Sequence, residues 1–531
     1  MVVDGLIAPG NTRIRFSALA VSVIINVILV YNSTKLSTLL NEPVVLPGYF
    51  NATNLSEATA STAKPSTSTL RNSSKDDTSP FDMLEEVIRN FHPNEQDAQE
   101  YLSKFPLQDF RIYVYDLKRG SSWEEVFKCV EKAYKPKNMG LEEFRNTYCD
   151  WGATVCNPKQ QSVDQYNARR MNRNSDGVLT KLFQDYEGPL RTTESSQATI
   201  FVAPYPTHAW YECYKPHGMR LSKKKVSREV LEKYLFPSLQ YLNRSSTKHL
   251  FFQTQDVGGF HQLQDPVVAS IAAPRRTKGG KTVIMPYVNT NAEYQPDRLH
   301  GANSIDWNSL FQRKNLSLAA VMSPKIAGDS RPRQQFMNRS GDLIEHGLGG
   351  MPVHITGFLN KRKLPNEQET MKLYRQSVFC PFLRGDTPQQ KRLFDTIMSG
   401  CIPVVLAYKW ADSASNGLND TSYFTSGVSN SKWLPYAKGS FDGYPNMGID
   451  YSELVVEIDG NCGIPCMKPV LESLMNSPEA LKEKQQVLAK YSRLFAHGLG
   501  NNGFKFVDAV TAMLVQARHK VLTDDRTVSA S

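Results

Sequence analysis

The chain has 531 residues, 40% of them hydrophobic and 21% charged, with a formal net charge of +10. That length accommodates two core-building domains plus appendages, and the composition describes a chain folded mainly in water. The positive balance suits anionic ligands. Nucleic acid is not the expected partner, because the densest basic run, Arg220-Leu221-Ser222-Lys223-Lys224-Lys225, has no interleaved aromatics and no reader motif.

Residues Phe16 to Tyr31 form a near-continuous apolar run without charge, preceded by Arg13 and Arg15. Ile14 extends it to the length of a short spanning helix. The two arginines favour a cytoplasmic amino end. A cleaved signal peptide is the alternative, but no convincing small-x-small site follows the run. The expectation is a cytoplasmic tail over 1–13, a single-pass type II signal-anchor over 14–31 and a lumenal remainder. Residues 32–105 read as a stem, Ser/Thr-rich in its first part, where too few large apolar groups occur to bury a core, with a short amphipathic helix near Asp82 to Phe91. Asn-x-Ser/Thr triplets begin at Asn32, Asn51, Asn54, Asn72, Asn243, Asn315, Asn338 and Asn419, which fits a lumenal address.

From Phe110 apolar runs alternate with helical periodicity, the pattern of a mostly parallel sheet. Arg111 to Leu117, Ile200 to Pro204, Leu250 to Thr254 and Val283 to Pro286 read as strands, with a helix over Arg228 to Leu242. A second α/β unit begins near residue 315. Its strands are expected over Leu316 to Met322, Val353 to Leu359, Val378 to Pro381, Ile402 to Leu406 and Leu454 to Ile458. Its helices are expected over Glu367 to Arg375, Pro388 to Ser399 and Ala480 to Phe495. The Gly/Ser/Asn-rich stretch between Trp410 and Pro445 reads as a long functional loop. The fold class is thus α/β, with an amino-terminal Rossmann-like domain over 106–305, a second over 306–520 and a tail over 521–531. Eight cysteines tolerate an oxidising compartment. Disulfides are plausible among Cys129, Cys149, Cys156 and Cys213 and between Cys462 and Cys466. Cys380 and Cys401 adjoin apolar strand residues, either bridged or simply packed.

The segment from Ser377 to Val405 reads as strand, tight loop, capped helix and strand. Gly385 supplies the turn, Thr387 the N-cap and Pro388 the first helical position, while Gly400 ends the helix. Lys391 and Arg392 sit just past the first turn, where their charge opposes the helix dipole unless an anion occupies that corner. The competing reading is a solvated helix face with Arg392 paired to Asp395.

This segment resembles the signature of the exostosin-like glycosyltransferases in Phe379-Cys380, Gly385-Asp386, Arg392-Leu393-Phe394-Asp395 and Gly400-Cys401-Ile402-Pro403-Val404. Weaker echoes are Arg111 to Leu117, Ala198 to Tyr205, His249 to Gly259, Lys281 to Tyr287 and Asp450 to Val456. Pro381, Leu383 and Gln255 depart from the family pattern. The resemblance implies the GT-B architecture, two facing Rossmann-like domains. It also implies an inverting transferase that moves a hexosyl or pentosyl group from a nucleotide sugar, expected to be UDP-linked, to a glycan or glycoprotein in the Golgi membrane.

No Asp-x-Asp metal motif occurs in the chain, so no metal and no cofactor beyond the nucleotide sugar is expected, and cations must offset the departing diphosphate. Arg384, Gly385, Asp386, Thr387, Lys391, Arg392, Asp395 and Arg331 are the donor-side candidates. Asp256, after an apolar strand and before Gly258-Gly259, is the leading general base, with His208 and His261 as rivals. Assembly with like or unlike transferases is expected to be open to this chain. The alternative function is a catalytically silent partner that stabilises or retains another transferase. A secreted adhesion protein using Arg384-Gly385-Asp386 is the third reading, and three residues recur easily by chance.

Overall fold

A computed structural model describes residues 79–116, 149–150, 155–156, 179–180, 182–184, 186–203, 235–243, 246–254, 265–271, 281–287, 314–322, 331–356, 365, 367–383, 391–407, 434–459, 462–497 and 507–529. All lie in one compact unit, Asp76–Ser531. The expected anchor and the first part of the stem fall outside the described residues. Among the described residues no helix is long and apolar enough to cross a membrane.

The packed structure begins inside the span read as stem. Helix α1 (Pro80–Phe91) is capped by Ser79, whose hydroxyl accepts from the Phe81 N–H while the Asp82 carboxylate accepts from the Ser79 N–H. It buries Met83, Leu84, Val87, Ile88 and Phe91, one apolar face at helical spacing. Helix α2 (Glu95–Lys104) is capped by Asn94, which accepts from the Asp97 N–H at 2.9 Å.

The first sheet follows. Its strands are β1 (Ile112–Val114), β4 (Arg191–Thr192), β5 (Ile200–Ala203), β6 (His249–Thr254), β7 (Val267–Ile271) and β8 (Thr282–Met285). A separate antiparallel ribbon of β2 (Cys149–Asp150) and β3 (Val155–Cys156) sets Cys149 opposite Cys156. The sheet order is β4-β1-β5-β6-β7-β8, with every neighbouring pair parallel. Four of these strands match the apolar runs of the sequence to within one or two residues at their starts. Strand β7 was not foreseen. Of the helix expected over 228–242, only 235–242 are described, and they hold a 3-10 turn at Phe236–Ser238.

The second sheet is built from β9 (Leu316–Val321), β10 (Val353–Thr356), β11 (Ser377–Phe382), β12 (Ile402–Ala407) and β13 (Val456–Asp459). Its order is β10-β9-β11-β12-β13, again wholly parallel. Between the strands run α3 (Arg331–Arg339), α4 (Gly341–His346), α5 (Glu367–Gln376), α6 (Lys391–Met398) and α7 (Tyr451–Leu454). The segment from Asp450 was read as leading straight into a strand. It first makes the short α7, because the Asp450 carboxylate accepts from the Ser452 N–H at 3.1 Å and caps a helical turn. Every residue of β11 is buried, as a central parallel strand requires. Cys380 and Cys401 are bridged, with Cα atoms 5.8 Å apart, and Cys462 is bridged to Cys466.

Helices α8 (Ile464–Met475) and α9 (Pro478–Ser492) and a 3-10 turn at Arg493–Phe495 complete the layer over the second sheet. The last helix, α10 (Ala509–Ser529), packs on β7 and β8 of the first sheet and on α1. From Ala509 to His519 it is buried on all sides, polar residues included, so those residues must find partners. Gln516 donates to Ser440 Oγ at 2.7 Å, and Arg518 donates to the carbonyls of Phe105 and Pro106 at 3.2 and 2.6 Å. His519 Nε2 lies 2.9 Å from the Asp442 carbonyl, which can only accept, so Nε2 carries the proton. Nδ1 then accepts from the Tyr101 hydroxyl at 3.1 Å.

Two consequences are measurable. Burial holds the His519 pKa down to about 4, so the ring is neutral when folded and charged when unfolded below pH 6.5. Its contribution is complete above pH 6.5 and is lost as pH falls toward 4, by up to about 3 kcal/mol. Melting curves between pH 7 and 4.5 should therefore fall more steeply for the wild type than for His519→Gln, which keeps a donor and an acceptor; equal slopes would sink this account. Replacing both Cys380 and Cys401 by Ala should lower stability by about 2–4 kcal/mol, read as a drop in denaturation midpoint against the untreated wild type.

Candidate active site

In an open parallel sheet, ligands bind beyond the carboxyl ends of the strands, at the point where strand order reverses. In the second sheet the chain passes from β9 outward to β10 and returns to the other side of β9 at β11, so the reversal lies between β9 and β11. Residues 384–390, outside the described residues, follow the carboxyl end of β11 in the chain, and the described chain resumes at Lys391, the first residue of α6. Arg331 opens α3, the helix that follows β9, on the same edge. Of the sequence-predicted donor residues, Lys391, Arg392 and Asp395 lie on α6 and Arg331 at the start of α3. Arg384, Gly385, Asp386 and Thr387 themselves lie outside the described residues.

Helix α6 shows how its sequence serves this position. Leu393, Phe394, Ile397 and Met398 are buried and hold it to the sheet. Gly400, at φ 64°, ends it, with the Cys401 N–H bonding back to the Thr396 carbonyl at 3.0 Å. The disulfide from Cys401 to Cys380 then ties that end to β11.

The charged residues of α6 divide into two kinds. Lys391 Nζ reaches Asp395 Oδ1 and Oδ2 at 3.0 and 2.9 Å, an i,i+4 pair whose side chains are 19% and 11% exposed. Asp395 therefore pairs with Lys391, not with Arg392 as the solvated-face reading had it. Arg392 Nη1 is buried and has no hydrogen-bond partner. Beside this group stands Tyr374 of α5, fully buried, its hydroxyl pKa pushed up to about 12 by burial. Arg392 and Lys391 pull that value down and Asp395 pushes it up, so the phenol lies within the field of all three charges. Tyr374 lies in the helix expected over Glu367 to Arg375, and nothing in its spacing announces this position.

The acid–base candidates fall outside the described residues, but their anchor points do not. Strand β5 ends at Ala203, five residues before His208, and β6 ends at Thr254, two before Asp256. These strands are adjacent and parallel, so their carboxyl ends are neighbours on one edge of the first sheet. His261 also lies outside the described residues.

Residues 106–424 match the Exostosin GT47 domain. The chain is also similar to three proteins of Arabidopsis thaliana. It is 25% identical over 224 residues to "Probable xyloglucan galactosyltransferase GT20", covering 41% of this chain and 39% of that protein. It is 24% identical over 226 residues to "Xyloglucan-specific galacturonosyltransferase 1", covering 41% and 33%. To "Probable xyloglucan galactosyltransferase GT12" it is 31% identical over 96 residues, 18% of each. The matches span less than half the length of each of these relatives. The domain match, with its signature strand, loop and helix at the edge just described, covers more than half of the chain, which belongs to the Exostosin GT47 family.

Proposed function

We propose that this protein is a nucleotide-sugar-dependent glycosyltransferase whose donor diphosphate docks at the head of α6. One observation carries the reading: a buried guanidinium nitrogen of Arg392 without a partner, at the strand-order reversal of the second sheet. A buried donor nitrogen left unpaired is costly, and an anion at that corner would remove the cost while also meeting the positive end of the helix. Lys391 acts differently. Its pairing with Asp395 makes it part of the frame around Arg392.

In this reading the two sheets face each other as the GT-B architecture, with the acceptor held over the carboxyl ends of β5 and β6. The acceptor hydroxyl oxygen attacks the anomeric carbon as the bond from that carbon to the diphosphate oxygen breaks. Asp256, or else His208, takes the hydroxyl proton, and the electron pair departs on the diphosphate. A single displacement inverts the anomeric centre. Arg392, the head of α6 and the candidates Arg384 and Arg331 offset the charge on the leaving group. The donor is a UDP-sugar. The names of the relatives make galactose and galacturonic acid the first sugars to try and a plant-type glycan the first acceptor. Residence in the Golgi membrane as a type II protein accords with the apolar run over 14–31. Asn243, Asn315 and Asn338, the described acceptor asparagines, are all exposed.

The lumenal fragment should be stabilised against heat by UDP more than by GDP or CMP, and should transfer sugar from a UDP-sugar with EDTA present. Arg392→Ala should leave the melting temperature nearly unchanged, abolish the UDP-induced rise and lower kcat/KM by about 10²–10³-fold. Arg392→Lys should not restore it, since an ammonium lacks the planar fork. Asp395→Asn should do the reverse in the free protein, lowering stability by about 1–2 kcal/mol because it frees a half-buried ammonium. An Arg392→Ala variant that keeps full UDP stabilisation counts against the donor site. A wild type that binds UDP but transfers nothing across a full donor and acceptor panel points to the silent-partner reading.

A further inference from the structure

Two of the Asn-x-Ser/Thr triplets lie wholly among the described residues, Asn315-Leu316-Ser317 and Asn338-Arg339-Ser340. Asn315 immediately precedes β9, so it stands on the amino edge of the second sheet, where its backbone N–H donates to the Gln376 carbonyl at 3.0 Å. Asn338 is the last residue but one of α3, about 10 Å along the helix axis from Arg331 and the carboxyl edge. Both asparagines are exposed. The fold thus presents them away from the edge assigned to the nucleotide sugar.

The serines of the same triplets are placed the opposite way. Ser317 is buried within β9, and its hydroxyl lies 3.1 Å from the carbonyls of Met351 and Pro352, which share its proton. Its backbone N–H is also spent, on the Pro352 carbonyl at 2.9 Å. Ser340 is buried as well, and its hydroxyl donates to the Met337 carbonyl at 2.8 Å. An acceptor triplet is read through its hydroxyl residue as well as its asparagine. In the folded chain the asparagines can be reached and the serines cannot. The native structure therefore has room for a finished glycan at each place, but it is closed to the attachment of one.

We propose that Asn315 and Asn338 carry N-linked oligosaccharides, attached before β9 and α3 fold. The proposal rests on the lumenal address put forward above and is independent of the donor site. The co-reactant is an oligosaccharide held on a lipid diphosphate. The asparagine side-chain nitrogen bonds to C1 of that sugar as the C1–O bond to the diphosphate breaks; the diphosphate keeps the electron pair and the amide gives up one proton. Folding then hides the serines and leaves two bulky, hydrophilic groups projecting from the second α/β unit, clear of its carboxyl edge.

The test starts from the full wild-type chain made in a eukaryotic secretory host, with its glycans cut by peptide N-glycosidase in heavy-oxygen water. Peptide mass spectrometry should find the heavy-oxygen conversion at both Asn315 and Asn338. On gels, Asn315→Gln and Asn338→Gln should each migrate one step faster than the wild type, and the double variant two steps. The order of events is read on unglycosylated chain from the same host with synthesis of the lipid-linked donor blocked. Given purified oligosaccharyltransferase and that donor, its folded form should stay unmodified, whereas its reduced, unfolded form should be modified at both positions. A folded form modified as fully as the unfolded one overturns attachment before folding. Unconverted asparagines in a chain whose 315–340 span is shielded from protease inside sealed vesicles overturn the sites themselves. Cleavage of that span from the cytoplasmic side overturns the lumenal address, a result distinct from a shielded chain without sugar.

Discussion

Parallel strands cannot be joined by a tight hairpin, and that constraint sets where the strand-to-helix junctions of this protein fall. Each strand must be followed by a crossover, so every strand-to-helix junction in a sheet falls on one edge. In the second sheet this gathers the ends of β9 and β11 and the heads of α3 and α6. In the first it sends the chain toward His208 and Asp256 from neighbouring strands. The ends of β9 and β11, about sixty positions apart in the chain, are thus brought to one edge by connectivity, before any side-chain contact is considered.

Two inner strands of the second sheet each carry a proline in their ladder. Pro381 lies within β11 and Pro403 within β12, and each lacks the N–H that a central strand ordinarily donates. In register, Cys380 stands opposite Pro403 and Pro381 opposite Val404. The disulfide from Cys380 to Cys401 joins the two strands beside the places where hydrogen bonding is poorest. The same bond closes the segment that contains the Arg384–Gln390 loop and α6. A covalent tie there substitutes for missing ladder bonds and also restrains the proposed donor site.

Much of this was legible in the sequence because strands buried on both faces are written as continuous apolar runs. Leu316 to Met322, Val378 to Pro381 and Ile402 to Leu406 fell within a residue or two of β9, β11 and β12. The helix stop at Gly400 was legible as well, since only a left-handed residue suits that place. What failed has physical reasons. Helix α10 shows no clear polar face from Ala509 to His519 because it is buried all round there, so periodicity does not mark it. Helix α1 matches the amphipathic run expected from Asp82 to Phe91, but α1 and α2 adjoin a Ser/Thr-rich stretch, so both were assigned to the stem and not to the packed domain. On α6 the spacing allowed Asp395 to pair with either Lys391 or Arg392. The choice of Lys391 at i,i+4 depends on how the helix faces α5 and the sheet, which spacing alone does not contain.

The division of labour on α6 follows from that choice. Had Asp395 paired with Arg392, the strongest anion-binding group at the edge would have been neutralised, leaving only a flexible ammonium for the diphosphate. With Lys391 occupied, the guanidinium keeps a donor unspent in a place where water is scarce, and an unspent donor in low dielectric binds an anion more strongly than one in solvent. The carboxylate also offsets part of the charge that two adjacent bases bring to a helix beginning, where the dipole disfavours them. One side chain thereby makes the basic pair tolerable at the helix beginning and leaves a guanidinium nitrogen available to the proposed donor.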